Sequence, residues 1–134
     1  LQQSPPESSH ALDVQKLRNP TVTFWSVCEG EQLAGIGALK LLDDKHGELK
    51  SMRTAPNYLR RGVASLILRH ILQVAHDRCL HRLSLETGTQ AGFTACHQLY
   101  LKHGFVDCEP FADYQLDPHS RFLSLTLCEN NELP

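Results

Sequence analysis

The stretch Leu59-Arg60-Arg61-Gly62-Val63-Ala64-Ser65 sets paired arginines and a glycine at the head of a long amphipathic run. A glycine turn that opens a helix leaves backbone N–H groups without intrahelical partners, at the positive end of the helix dipole. That combination binds anions, and phosphate is the usual one. From Leu49 to His76 there is no acidic residue, whereas Lys50, Arg53, Arg60, Arg61 and Arg69 are basic. The whole chain carries a net charge of −2, so this is a local concentration of positive charge. The same residues would also make a plain helix start with solvated arginines; the setting of the turn favours the anion site.

Other chemistry-bearing residues point nowhere so definite. The chain has eight histidines, but the spacings His70 to His76 and His97 to His103 fit no HExxH or Cys/His ligand set, and no metal is expected. Five cysteines, an odd number without a C-x-x-C pair, read as reduced thiols in a cytoplasmic protein. Cys96 on a helix face and Cys79 near a helix end read as packing residues.

The elements that must position the turn follow from periodicity and breakers. Residues 1–20 form an irregular lead-in with the Pro5-Pro6 pair, in which Ala11–Arg18 is a short helix with Leu12 and Leu17 inward. Thr21–Val27 is rich in β-branched and aromatic residues, and Cys28-Glu29-Gly30-Glu31 turns it into a second strand, Gln32–Leu42. Asp43–Gly47 is the next turn and Glu48–Thr54 the third strand, which Pro56 ends. Gly62–His76 is a helix with Ser65, Arg69, Gln73 and His76 on a polar stripe; its wide apolar face suits a helix lying on a sheet. Arg82–Glu86 is a strand expected parallel to Glu48–Thr54, completing a β-α-β unit. A second helix, Ala91–His103, buries Phe93, Cys96, Leu99 and Tyr100, with Gly104 as its C′ residue. Phe105–Pro110 and Arg121–Leu127 are closing strands around the loop Phe111–Ser120, and residues 129–134 are a polar tail.

At 134 residues this is one α/β domain with a single core, 1–134. Hydrophobic content of 41% and charge of 21% are those of an ordinary soluble protein. No apolar run nears the ~20 residues that cross a bilayer, and no signal peptide is visible. A near-neutral balance gives no reason to expect nucleic acid as a partner.

Strand, Pro56, basic glycine turn and helix together resemble the coenzyme A signature of the GCN5-related N-acetyltransferases, the GNAT family. The family pattern Gln/Arg-x-x-Gly-x-Gly/Ala falls on Leu59, Arg60, Arg61, Gly62, Val63 and Ala64. Gly62 and Ala64 match the fixed positions; Leu59 stands where the family has Gln or Arg, and the neighbouring arginines are expected to take over that contact. Leu99-Tyr100-Leu101-Lys102-His103-Gly104-Phe105 is similar to the family's Leu-Tyr-x-x-x-Gly-Phe segment, with Phe93 where an Asn is frequent. Arg82–Gly88, Pro110–Tyr114 and Asp117-Pro118 with Ser120 are similar to a bacterial subgroup labelled YsnE-like, described as small-molecule N-acetyltransferases. The resemblance implies a central twisted mixed sheet with helices on both faces. The strand and helix that open the family fold are not found before Thr21, so the first strand is expected to be missing.

The resemblance also implies chemistry. Acetyl-CoA would be the co-substrate. It would be held by the strand residues Ser51, Met52, Arg53 and Thr54, by Leu59, Arg60, Arg61, Gly62, Val63, Ala64 and Ser65 of the turn, and by Tyr100 and His103. Tyr100 is the residue that the family uses to protonate the departing thiolate. Glu48 and Glu86, on the two strands flanking the cofactor, are candidate bases for the amine, and His46 is able to titrate near neutrality. Asp113, Tyr114 and His119, with Asp117 and Ser120, would recognise the acceptor, unless this loop only shapes turns. The expected activity is acetyl transfer to a primary amine of a small molecule by direct attack in a ternary complex. A protein N-terminus or lysine is the other acceptor class, and a non-catalytic acyl-CoA-binding module is the rival outside enzymology. A homodimer is compatible with all three; a membrane partner is not expected.

Overall fold

The structure is a computed structural model that describes residues 21–127. The expected helix Ala11–Arg18, the question of a first strand and the tail 129–134 lie outside these residues. The described chain runs β1 (Val22–Glu29), β2 (Gln32–Leu41), β3 (His46–Thr54), α1 (Val63–Asp77), β4 (Arg82–Gly88), α2 (Thr94–Lys102), β5 (Val106–Asp107) and β6 (Ser120–Thr126). The strands form a mixed sheet in the order β1-β2-β3-β4-β6-β5, with β3 and β4 parallel. The chain clusters into two compact units, Leu1–Leu41 with Leu49–Val74 and Leu42–Glu48 with Ala75–Pro134, whose boundaries fall inside β3 and inside α1.

In the first unit β1 and β2 are an antiparallel hairpin turned at Gly30, whose φ is +59°. Cross-strand partners share a face of the sheet. Trp25 is opposite Gly37 and Val27 opposite Gly35. Over these glycines lies α1, which presents Val63, Ile67 and Ile71, all buried and four residues apart. Contact is close: a Cβ on Gly35 would stand 2.7 Å from Val63 Cγ1, and one on Gly37 would stand 2.6 Å from Ile67 Cγ2. The edge of Trp25 meets His70 of α1 at a ring distance of 5.6 Å. Two glycines thus form the seat of the helix that carries the basic turn.

In the second unit β3 pairs with β4 from His46↔Arg82 to Glu48↔Ser84, and β4 pairs with β6 along all seven residues. One face of these strands is apolar, with Leu83, Leu85 and Leu123 buried. The other face carries His46, Glu48, Ser84, Glu86, Ser120, Phe122 and Ser124, and Glu48, Ser84 and Ser124 lie in one cross-strand row. A buried polar row across three strands is costly in a core unless it is hydrogen-bonded. Its partners define the site below.

Several expected boundaries shift. The expected strand Phe105–Pro110 is reduced to Val106–Asp107. Helix α2 begins at Thr94, after a 3-10 turn at Ala91–Phe93, so Phe93 is 40% exposed rather than buried with Cys96 and Tyr100; its ring lies against Gly88, where a Cβ would come within 2.5 Å. Cys96 and Leu99 are half-buried. Cys79 is exposed, with a φ of +62°, and ends α1 instead of packing.

Candidate functional site

The basic turn is shaped by backbone geometry. Ala55 N–H donates to the Ala34 carbonyl at 2.8 Å, and Pro56–Tyr58 form a 3-10 turn. Tyr58 is buried and its hydroxyl shares its proton between Glu29 Oε1 at 3.0 Å and Gln32 Oε1 at 2.9 Å. Arg61 lies over the Tyr58 ring, 4.8 Å from its centroid, with its guanidinium 3.8 Å from Glu29. This cation–π and ion-pair contact ties Arg61 to the turn's own base. Arg60 and Gly62 have φ of +63° and +80°, so the backbone twists left-handed twice before the helix.

The first helical hydrogen bond is Leu66 N–H to the Gly62 carbonyl at 3.0 Å, and no acidic residue occupies the first turn of α1. The N–H groups of Val63, Ala64 and Ser65 therefore precede the intrahelical ladder. A Cβ on Gly62 would meet nothing within 4 Å, so the outer side of the turn is open to a bulky anion. Arg60 is exposed, Ala64 and Ser65 are half-buried, and Leu59 is 58% exposed where the family signature has a polar side chain. These residues fit a pyrophosphate.

Upstream on β3, Ser51 has a φ of +58°, a left-handed residue within a strand, and it is exposed. Such a residue kinks the strand and turns its peptide groups out of line. Met52 and Thr54 are half-buried and Arg53 is exposed; the Arg53 carbonyl would lie 3.0 Å from a Cβ on Gly35. The glycine seat thus brings strand β3 and the head of α1 together around Gly35.

Tyr100 sits on the last turn of α2, 6% exposed. Gly104, with a φ of +96°, lets its N–H reach the Leu101 carbonyl at 3.0 Å while Phe105 N–H reaches the Tyr100 carbonyl at 3.1 Å. This is a Schellman closure, which brings the residue after the glycine against the helix. Phe105 meets the Tyr100 ring at 5.6 Å. Gly104 and Phe105 therefore fix Tyr100 in place, which gives the Tyr-x-x-x-Gly-Phe spacing a physical cause. Burial pushes the Tyr100 phenol well above its ordinary value, with a smaller contribution from Cys96, so it stays protonated at neutral pH. His103 Nδ1 donates to the Leu99 carbonyl at 2.9 Å and caps its own helix.

The polar row of the second unit is closed by the loop after β5. Glu48 is 2% exposed and its Oε2 accepts a 2.6 Å hydrogen bond from the Tyr114 hydroxyl. Tyr114 is held by Phe111 at a ring distance of 5.1 Å and by Phe122 at 5.6 Å. Burial, then the hydrogen bond and charge of Glu48, then the charge of Glu86, push its phenol far above the ordinary value. His46 Nε2 lies 2.7 Å from Ser84 Oγ, and its ring meets Phe111 at 5.9 Å. Burial, followed by the nearby Arg82, pulls the His46 pKa down, so the ring is neutral at physiological pH.

At the far end of β4, Ser120 Oγ donates to Glu86 Oε2 at 2.7 Å. Of the expected acceptor residues, Tyr114 is therefore committed to Glu48, Ser120 to Glu86, and Asp117 to the N–H of His119 at 2.7 Å. Asp113 and His119 are exposed. The part of the loop around Asp117 does shape a turn, as the plainer reading had it. The His46–Ser84 pair, the Tyr58–Arg61 clamp and the glycine seat escaped the sequence reading.

Comparison with known proteins adds to this geometry. A sequence profile described as Acetyltransferase (GNAT) family matches residues 2–105. The chain is 97% identical over 134 residues to a protein of Escherichia coli (strain K12) described as the uncharacterized N-acetyltransferase YedL, covering 100% of this chain and 84% of that one. It is 56% identical over 124 residues to the similarly described YsnE of Bacillus subtilis (strain 168), covering 92% of this chain and 82% of that one. Among solved structures, one described as an acyl-CoA N-acyltransferase from Klebsiella pneumoniae superposes with a TM-score of 0.74 at 28% identity, covering 88% of this chain and 86% of that one.

Proposed function

Since the chain belongs to the acetyltransferase (GNAT) family and is an N-acetyltransferase, we propose that it moves acetyl from acetyl-CoA to a primary amine of a small molecule, by direct attack in a ternary complex. The observation that carries the donor half is the turn Arg60–Ser65: two left-handed residues deliver free N–H groups at an uncompensated helix start with open space outside Gly62. Backbone N–H groups there take the pyrophosphate, with Arg60 beside them. The kinked segment Ser51–Thr54 pairs with the pantetheine arm, and one of its N–H groups polarises the thioester carbonyl. Acetyl-CoA supplies the activated acyl group; the chain's residues move the protons.

Glu48 is the base that takes the ammonium proton, and Tyr100, kept protonated by burial, donates to the departing thiolate. Glu86, bound by Ser120, is the lesser candidate. A small acceptor is favoured over a peptide because Phe111 and Tyr114 of the loop are packed onto the polar face of β4 and β6, where an extended chain would need an open groove. The protein is proposed to work in the cytoplasm, without a metal.

Calorimetric titration with acetyl-CoA, with desulfo-CoA and ATP as comparators, tests this reading. Saturable binding that favours acetyl-CoA, lost in Gly62→Glu while that variant keeps its fold by circular dichroism, is the expected result. Thiol release with a panel of primary amines then separates turnover from mere binding. Unchanged affinity in Gly62→Glu would remove the turn from the site.

A further inference from the structure

We propose that Tyr114 is a proton relay, so that the amine's proton reaches Glu48 through the Tyr114 hydroxyl and not by direct contact. This rests on the reading of Glu48 as the base. Glu48 is 2% exposed, too deep for a substrate ammonium to touch while the loop is in place. Tyr114 is only half-buried, and its hydroxyl is 2.6 Å from Glu48 Oε2. Glu48 is thus enclosed, whereas its hydrogen-bonding partner Tyr114 keeps part of its surface exposed.

The step balances without a further reactant. The ammonium N–H proton passes to Tyr114 Oη as the Tyr114 O–H proton passes to Glu48 Oε2. The amine leaves the step neutral and nucleophilic, Glu48 leaves it protonated, and Tyr114 is unchanged. Because the phenol resists ionisation here, the transfer is concerted and no free phenolate is formed. The loop geometry is built to hold this alignment: Phe111 and Phe122 grip the Tyr114 ring, and Tyr114 N–H donates to the Phe111 carbonyl at 3.0 Å. Glu48 acts on both His46 and Tyr114; His46 also feels Arg82 and Asp43, and Tyr114 also feels Glu86. His46 is neutral and bound to Ser84, so it does not compete for the proton. Tyr114, expected from the sequence to recognise the acceptor, takes a chemical role in this proposal.

Tyr114→Phe keeps the ring and removes only the relay oxygen. With the fastest acceptor of a panel of ethanolamine, 2-phenylethylamine, glycinamide and putrescine, kcat at pH 7 should fall by about 100-fold or more. Acetyl-CoA affinity should stay within about twofold, and the loss should shrink steadily towards pH 10, because the free amine then enters already neutral. Glu48→Gln should lose a similar factor, and the double variant no more than either single one, as expected for groups acting as a unit. A Tyr114→Phe rate within about threefold of the parent, a loss that does not recover at alkaline pH, or additive losses would overturn the relay. Failure of the parent reading would show elsewhere, as an unmutated protein that neither binds acetyl-CoA nor releases thiol.

Discussion

Gly37→Ala tests whether the basic turn is placed by the glycine seat. The added Cβ would lie 2.6 Å from Ile67 Cγ2, 2.9 Å from Met52 Sδ and 3.0 Å from Ile71 Cδ1. Carbon atoms pack best at about 3.5–4.0 Å, so the neighbours must retreat by about 1 Å. Ile67 cannot do so by rotating freely, since its Cγ2 hangs from a branched Cβ with essentially one χ1 rotamer in a helix. The helix itself must move. Overpacking of this kind costs about 1–3 kcal/mol, offset by the roughly 0.4–1 kcal/mol that alanine gains by stiffening the unfolded chain. A net loss of about 1–2 kcal/mol corresponds to a Tm lower by roughly 4–8 °C for a domain of this size.

Thermal scans and urea titrations of Gly37→Ala beside Gly92→Ala make the measurement. Gly92 has open space around it, so its substitution should leave Tm level or slightly raised. Gly35→Ala should act on function as well, because its clash is with Val63 Cγ1 at 2.7 Å, at the first residue of α1. Its acetyl-CoA affinity should fall further than that of Gly37→Ala at an equal loss of stability. A Gly37→Ala protein with the parent Tm would mean that α1 is not seated by glycine.

Tyr100→Phe keeps the ring on Phe105 and should lower turnover by about 100-fold while acetyl-CoA affinity changes little; parent-like turnover would make Tyr100 a packing residue. Asp107 and Arg121, joined by bonds of 2.8 and 3.0 Å, clip β5 to β6. That bond and the Arg121 charge hold the Asp107 carboxyl below its ordinary 3.8, so the contribution is full above that value and is lost as pH falls through the lower, folded one. Asp107 is 66% exposed, and the contribution is less than about 1 kcal/mol. Urea midpoints at pH 5 and pH 2.5 should therefore converge slightly in Asp107→Asn; an unchanged gap between them would refute the pairing.

The parts legible in the sequence are those whose cause is local. A 3.6-residue period, a proline stop and a glycine followed by an apolar residue each act over a few positions, and they located α1, the end of β3 and the Tyr100–Phe105 closure to within a residue or two. Local signals also misled where two of them coincide. Phe93 continues the apolar period of α2, but Gly88 leaves a surface for its ring, and the chain takes a 3-10 turn to put it there. The strand expected from Phe105 ends at Asp107, because only Val106 and Asp107 pair with β6.

What the sequence could not disclose is which groups meet across the fold. Glu48 and Tyr114 are 66 residues apart in the chain, and each alone reads as unremarkable: a strand acid and a loop phenol. Their meeting depends on the parallel register that sets Glu48 beside Ser84, on Phe122 two residues along β6, and on a loop long enough to fold Phe111 back onto His46 and Phe122. Once they meet, the chemistry of each changes. The acid becomes too deep to touch a substrate, and the phenol becomes too hard to ionise to act as a base by itself. On the proposed relay the two act as a pair, with the proton handed inward from Tyr114 to Glu48. If the relay holds, the loop expected to recognise the acceptor also serves the base.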